Sequence, residues 1–131
     1  MYHKGYSIMK HISSYLDFLK TNGKPLAEIN PGSEEIALSV KDALKALELL
    51  NDSQIPVLGG DILSIKAEKF GYAIHFWGDE YHYLNWYCEK KENEKQSDYC
   101  KRSYAVSQVG IKEAEKIAQK LNQECYIVLV T

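Results

Sequence analysis

The chain has 131 residues, 45% of them hydrophobic and 26% charged, and a formal net charge of −2. That length and apolar content suit one domain, spanning residues 1–131, able to bury a core without disulfides or metal. The near-neutral charge excludes a general electrostatic pull toward nucleic acid or an anionic membrane.

From Ser7 to Lys20, Ile8, Ile12, Tyr15, Leu16 and Leu19 fall on one helical face, and Asn22-Gly23 supplies the stop. Thr21 to Ser33 reads as loop, with Pro25 and Asn30-Pro31-Gly32 as breakers and room for a short strand around Ala27–Ile29. Ser39 followed by Asp42 is a capping-box-like start for a second helix, Ser39–Leu50. Its apolar stripe is Val40, Ala43, Leu44, Leu47 and Leu50.

Ile55-Pro56-Val57-Leu58-Gly59-Gly60-Asp61 reads as a constrained joint between helix and sheet, with Gly59, Gly60 and Asp61 forming a structural turn. Ile62, Ile65 and Ala67 suit a strand, Lys69-Phe70-Gly71 a tight turn, and Tyr72–Phe76 a pairing strand. Trp77-Gly78-Asp79-Glu80 then reads as a hairpin tip. The returning strand, Tyr81–Tyr87, puts Tyr81, Tyr83, Asn85 and Tyr87 on one face and His82, Leu84 and Trp86 on the other. After a charged loop, Ser97–Asn122 reads as the longest helix, capped by Ser97-Asp98, with Gly110 a place to kink or break it. Cys125–Val130 is apolar on both faces, as a central strand is. These elements make an α+β domain: a mainly antiparallel sheet of four to five strands with two to three helices packed on it.

Cys88, Cys100 and Cys125 contain no CxxC pair and point to a reducing, cytoplasmic setting. No signal-peptide or membrane-spanning run is present; Tyr126–Val130 is far too short. The Gly59-Gly60 pair lacks the GxGxxG and Gly-Lys-Ser signatures of phosphate binding. His75, His82, Cys88 and Cys100 match no zinc spacing, so neither a metal nor a cofactor is expected. Glu34-Glu35 and Asp79-Glu80 are adjacent acids that point different ways, which gives no acid/base pair and no catalytic residue.

The acids are more informative as a surface. Between Asp79 and Asp98 lie six acids and three lysines, interleaved with tyrosines from a chain total of ten. Such a stretch is either a solvated edge or a protein-docking surface with aromatic anchors and acidic steering charges. It does not suit nucleic acid, because stacking aromatics normally line a positive groove.

Three blocks carry a family resemblance. The first runs from Ala37-Leu38 through Ser39–Leu50 to Ile55-Pro56-Val57-Leu58-Gly59-Gly60-Asp61. The others are Asn85-Trp86-Tyr87-Cys88 and Ser97-Asp98-Tyr99-Cys100-Lys101-Arg102-Ser103, followed by Ile127-Val128-Leu129-Val130. In this order the chain resembles the immunity protein 40 family of bacterial polymorphic-toxin systems, from about Glu35 to Val130, with residues 1–34 outside the resemblance. The resemblance implies a non-enzymatic α+β protein that stays in the cytoplasm of the producing cell and blocks a cognate toxin C-terminal domain. Asp79, Glu80, Tyr81, Tyr83, Trp86, Tyr87 and Glu89 are the expected contacts, whereas Tyr99 and Arg102 are expected to hold the long helix on the sheet. Two rival readings are a small enzyme or ligand-binding domain with a pocket near Gly59–Asp61 using His75 or His82, and a subunit of a larger assembly.

Overall fold

Ser39 ends one element and starts another. In the computed structural model, which describes residues 14–131, strand β2 (Ile36–Ser39) runs directly into helix α2 (Val40–Asp52). The Ser39 Oγ accepts the Asp42 amide at 3.2 Å, satisfying one of the orphan donors at the helix start. Before this junction, residues 14–22 form the described part of helix α1, closed by the Gly23 amide on the Leu19 carbonyl. Ile8 and Ile12 lie outside the described residues. The short strand expected at Ala27–Ile29 is instead β1 at Lys24–Pro25, and Leu26–Glu28 form a 3-10 turn.

The remaining strands are β3 (Gly59–Lys66), β4 (Lys69–Tyr72), β5 (Trp86–Tyr87) and β6 (Tyr126–Val130). The helices are α3 (Ala73–Trp77) and α4 (Gln96–Leu121). All pairings are antiparallel, in the order β1-β2-β6-β3-β4. The closing strand β6 is therefore central, as its two-sided apolarity requires. Strand β5 shares the outer edge of β3 with β4: it pairs with Gly59 and Gly60, and β4 pairs from Leu63 onward. The Asn85 Oδ1 bridges the gap by accepting the Ile62 amide at 2.9 Å.

Side chains alternate across the sheet. Leu38, Ile62, Ile127 and Leu129 face α2 and α4, where Ala43, Ala46, Leu50, Ile111 and Ala114 complete the main core. Ala37, Leu63 and Val128 point the other way and are covered by Leu26, with Phe70, Tyr72 and Tyr126 packed around them. Helices thus lie on one face, and a thin layer of a 3-10 turn and aromatic rings lies on the other.

Several sequence expectations are corrected. Gly59, Gly60 and Asp61 are strand residues, not a turn, and among the described glycines positive φ occurs at Gly32 and Gly78. The constraint on the preceding joint comes from α4. Ser103 Oγ accepts the Val57 amide at 3.0 Å, and the Tyr104 hydroxyl lies 2.6 Å from the Ile55 carbonyl and 3.0 Å from that of Leu50. The β3–β4 turn falls at Ala67-Glu68, with φ of 51° and 67°, rather than at Lys69-Phe70-Gly71. Tyr72–Phe76 is mostly helical, because Ala73 and Trp77 bury one face four residues apart and the Trp77 indole donates to Ser64 Oγ. Helix α4 is unbroken at Gly110 and starts after Lys95 with no side-chain cap, so Ser97-Asp98 lies within its first turn.

Candidate functional site

The segment Asp79–Glu89 is not a hairpin. Asp79–Leu84 form a 3-10 helix and only Trp86–Tyr87 are strand, so the expected alternation of Tyr81, Tyr83, Asn85 and Tyr87 on one strand face is lost. Tyr81 is half-buried, its ring edge-on to Trp77 at 6.3 Å and tilted against Tyr83 at 6.5 Å. Tyr83 and Tyr87 are 61% and 74% exposed, and Asp79, Glu80 and Glu89 are exposed with them.

Trp86 is the exception among the seven expected contacts. It is 9% exposed, and its indole donates to Ser107 Oγ on α4 at 3.2 Å. Two glycines explain the fit: a Cβ on Gly60 would collide with the six-membered ring from the sheet side, and one on Gly110 would lie 2.6 Å from it on the helix side. A Cβ on Gly59 would strike the Trp86 carbonyl. The Gly59-Gly60 pair and Gly110 therefore serve one purpose, the close passage of β5 and its indole between β3 and α4. Trp86 is a core residue that fixes Tyr87 on the opposite side of the strand.

The loop after β5 is fastened to α4 by Arg102. Its guanidinium makes two 2.8 Å bonds to the Glu94 carboxylate and donates to the Glu89 carbonyl at 2.6 Å, while the Tyr99 hydroxyl donates to the Cys88 carbonyl at 2.7 Å. This forked pairing holds the Glu94 carboxyl at about 2, with the Lys91 amide on the same carboxylate adding to the effect. Tyr99 and Arg102 thus anchor the backbone that carries Glu89. Glu94 was not singled out in the sequence, since eight residues separate it from Arg102 and no local spacing marks the pair.

The sequence also did not mark a pair of acids on the face opposite the helices. In register, Tyr87, Gly59 and Val130 form one row across β5, β3 and β6, and Asp61, Val128 and Ala37 form the next across β3, β6 and β2. Glu35, two residues before Ala37, shares that face at the end of β2. Asp61 and Glu35 are both half-buried, and neither carboxylate has a hydrogen-bond or ion-pair partner among the described residues. Burial raises the Asp61 carboxyl, and burial together with the Asp61 charge raises that of Glu35. Asp61 is therefore an acid on a strand face rather than part of a structural turn.

His75 and His82 are exposed, on α3 and on the 3-10 helix. A 240 Å³ cavity between α2 and α4 is lined by Leu44, Tyr104 and Gln108, and a 300 Å³ cleft beside Glu35 by Tyr15, Leu19 and Val130. Neither Asp61 nor either histidine lines these spaces. Among the described residues no group of three or more His, Cys, Asp or Glu side chains could hold a metal ion.

The fold is that of an α+β protein with its helices gathered on one face of an antiparallel sheet. The chain belongs to the Immunity protein 40 family, whose family model it matches over residues 25–131. The match starts at Pro25, the second residue of β1, and includes the 3-10 turn, about ten residues more than the resemblance that begins near Glu35. Comparison with curated proteins and with solved structures returned no match.

Proposed function

We propose that this chain is a non-enzymatic immunity protein that binds a cognate toxin C-terminal domain in the cytoplasm of the producing cell and blocks it. Family membership supports the class. The observation that carries the site is the pairing of exposed Tyr83 and Tyr87 with exposed Asp79, Glu80 and Glu89 on one short segment. Free surfaces rarely hold large rings in water without a use, and tyrosine anchors ringed by charge are common at protein interfaces. Tyr81 supports Tyr83 from below, and Trp86 acts from the core by holding Tyr87 in place. The acids steer encounter with a basic surface, so association should slow as salt rises.

Co-expression with a toxin C-terminal domain found encoded immediately upstream of this chain tests this reading. The chain should restore growth, and replacing Tyr83 and Tyr87 together by alanine should abolish rescue while the protein stays folded. Absence of rescue by the unaltered chain counts against the function. Full rescue by the double replacement counts against the site.

A further inference from the structure

The sheet face that carries Tyr87 continues past it. Two residues along β3 from Gly59, the Tyr87 partner, stands Asp61, and across β6 at the end of β2 stands Glu35. Between the two acids runs β6, where half-buried Val130 supplies an apolar floor next to Val128, which is itself covered. Two like charges half-removed from water, with no cation beside them among the described residues, are costly, and proteins normally pair such groups. Among the described residues the basic side chain on the same face, Lys24, is engaged elsewhere: its ammonium is 3.4 Å from Glu28 and 5.4 Å from the centre of the Phe70 ring. Tyr15 beside Glu35 does not neutralise it, being a buried phenol held protonated, pushed up to about 12.

We propose that this face is the continuation of the toxin-binding surface, and that a lysine or arginine side chain of the toxin seats between Glu35 and Asp61 over Val130. This rests on the toxin-binding reading given above. The chemistry favours a basic side chain over a bare ion. A hard divalent cation asks for six or more oxygen ligands, which two carboxylates above an apolar floor do not supply. A lysine or arginine can lay its methylene stem on Val130 and bring its charge to the acids. The cleft beside Glu35, walled by Leu19, Ile36 and Val130, gives that stem room. Continuity with Tyr87 means that one partner surface reaches both features.

Calorimetric titration of the full chain with the upstream toxin domain tests the proposal, using Glu35→Gln, Asp61→Asn and the double variant, each checked for folding by thermal melting. Both replacements keep shape and remove charge, so melting should be unchanged or raised. The double variant should bind at least about 30-fold more weakly, as expected when a desolvated charge pair loses one side. One lysine or arginine replaced by alanine in the toxin should bind the unaltered chain and the double variant with the same reduced affinity. Affinity of the double variant within about twofold of the unaltered chain would overturn this inference and leave the function standing. Absence of binding by the unaltered chain would overturn both. Tight one-to-one binding of calcium alone, lost in the double variant, would overturn the assignment to a basic side chain.

Discussion

Replacing glycine by alanine inside an ordinary helix gains roughly 1 kcal/mol, and Gly110 is where that expectation reverses. Its Cβ would lie 2.6 Å from the Trp86 ring, which is itself held by Gly60 on the other side and by Ser107. Gly110→Ala should therefore lower stability by about 1–3 kcal/mol, the usual cost of overpacking. Combined with Trp86→Phe the two losses should be less than additive in urea denaturation, since the smaller ring vacates the contested space. The Glu94–Arg102 pair gives a prediction of a different kind. Its carboxyl titrates near 2 in the folded chain, below its ordinary value of 4.5, so its contribution is complete above that value and is lost as pH falls toward 2. Glu94→Gln should lower the melting temperature at neutral pH, and the difference should vanish in strong acid. An unchanged melting temperature at pH 7 would show that the clamp is not structural.

Among the elements, those written in periodicity were legible and those set by neighbours were not. Helix α2 and its Ser39 cap, helix α4 over nearly its full length and the central position of β6 all follow from local pattern. The 72–84 region does not. Its aromatic composition suits a strand, but Trp77 is drawn under the sheet by Ser64 and Tyr81 is drawn onto Trp77, and both contacts need a helical path. The four-residue spacing of Ala73 and Trp77 was the available signal, masked by high strand propensity. Trp86 is in a strand, on the face opposite Tyr87 as its alternation implies, and the approach of α4 makes that face core rather than contact surface. Gly59 and Gly60 were visible as special, but their partner, an indole 26 residues away from Gly60, was not. The Ala67-Glu68 turn was also invisible, because neither residue favours the positive φ that both adopt. Asn-Gly at these two positions matches the mirror-image turn that a two-residue hairpin requires. It should raise stability by about 1 kcal/mol, read by thermal or urea melting.

For the whole molecule, stability and function are predicted to pull against each other on the sheet face opposite the helices. The folded Asp61 carboxyl ionises at a higher pH than in the unfolded chain, so at neutral pH the folded state bears a cost that is removed as pH falls through the raised value. Asp61→Asn should thus raise the melting temperature at pH 7, with the gain shrinking as pH falls through the raised value and gone below the ordinary carboxylate range. The same change should weaken toxin binding, a trade commonly met at binding sites. The helical face has no such conflict: among the described residues its buried polar groups, Ser53, Ser64, Ser103 and Ser107, are all hydrogen-bonded, and their role is packing. The central claim is that this chain neutralises a toxin domain by direct contact, and inhibition measured at defined stoichiometry tests it most directly. Assayed with increasing amounts of the purified chain, the upstream toxin domain should lose its activity linearly and fully at one equivalent. Activity that persists at several equivalents, at low salt, would contradict the account.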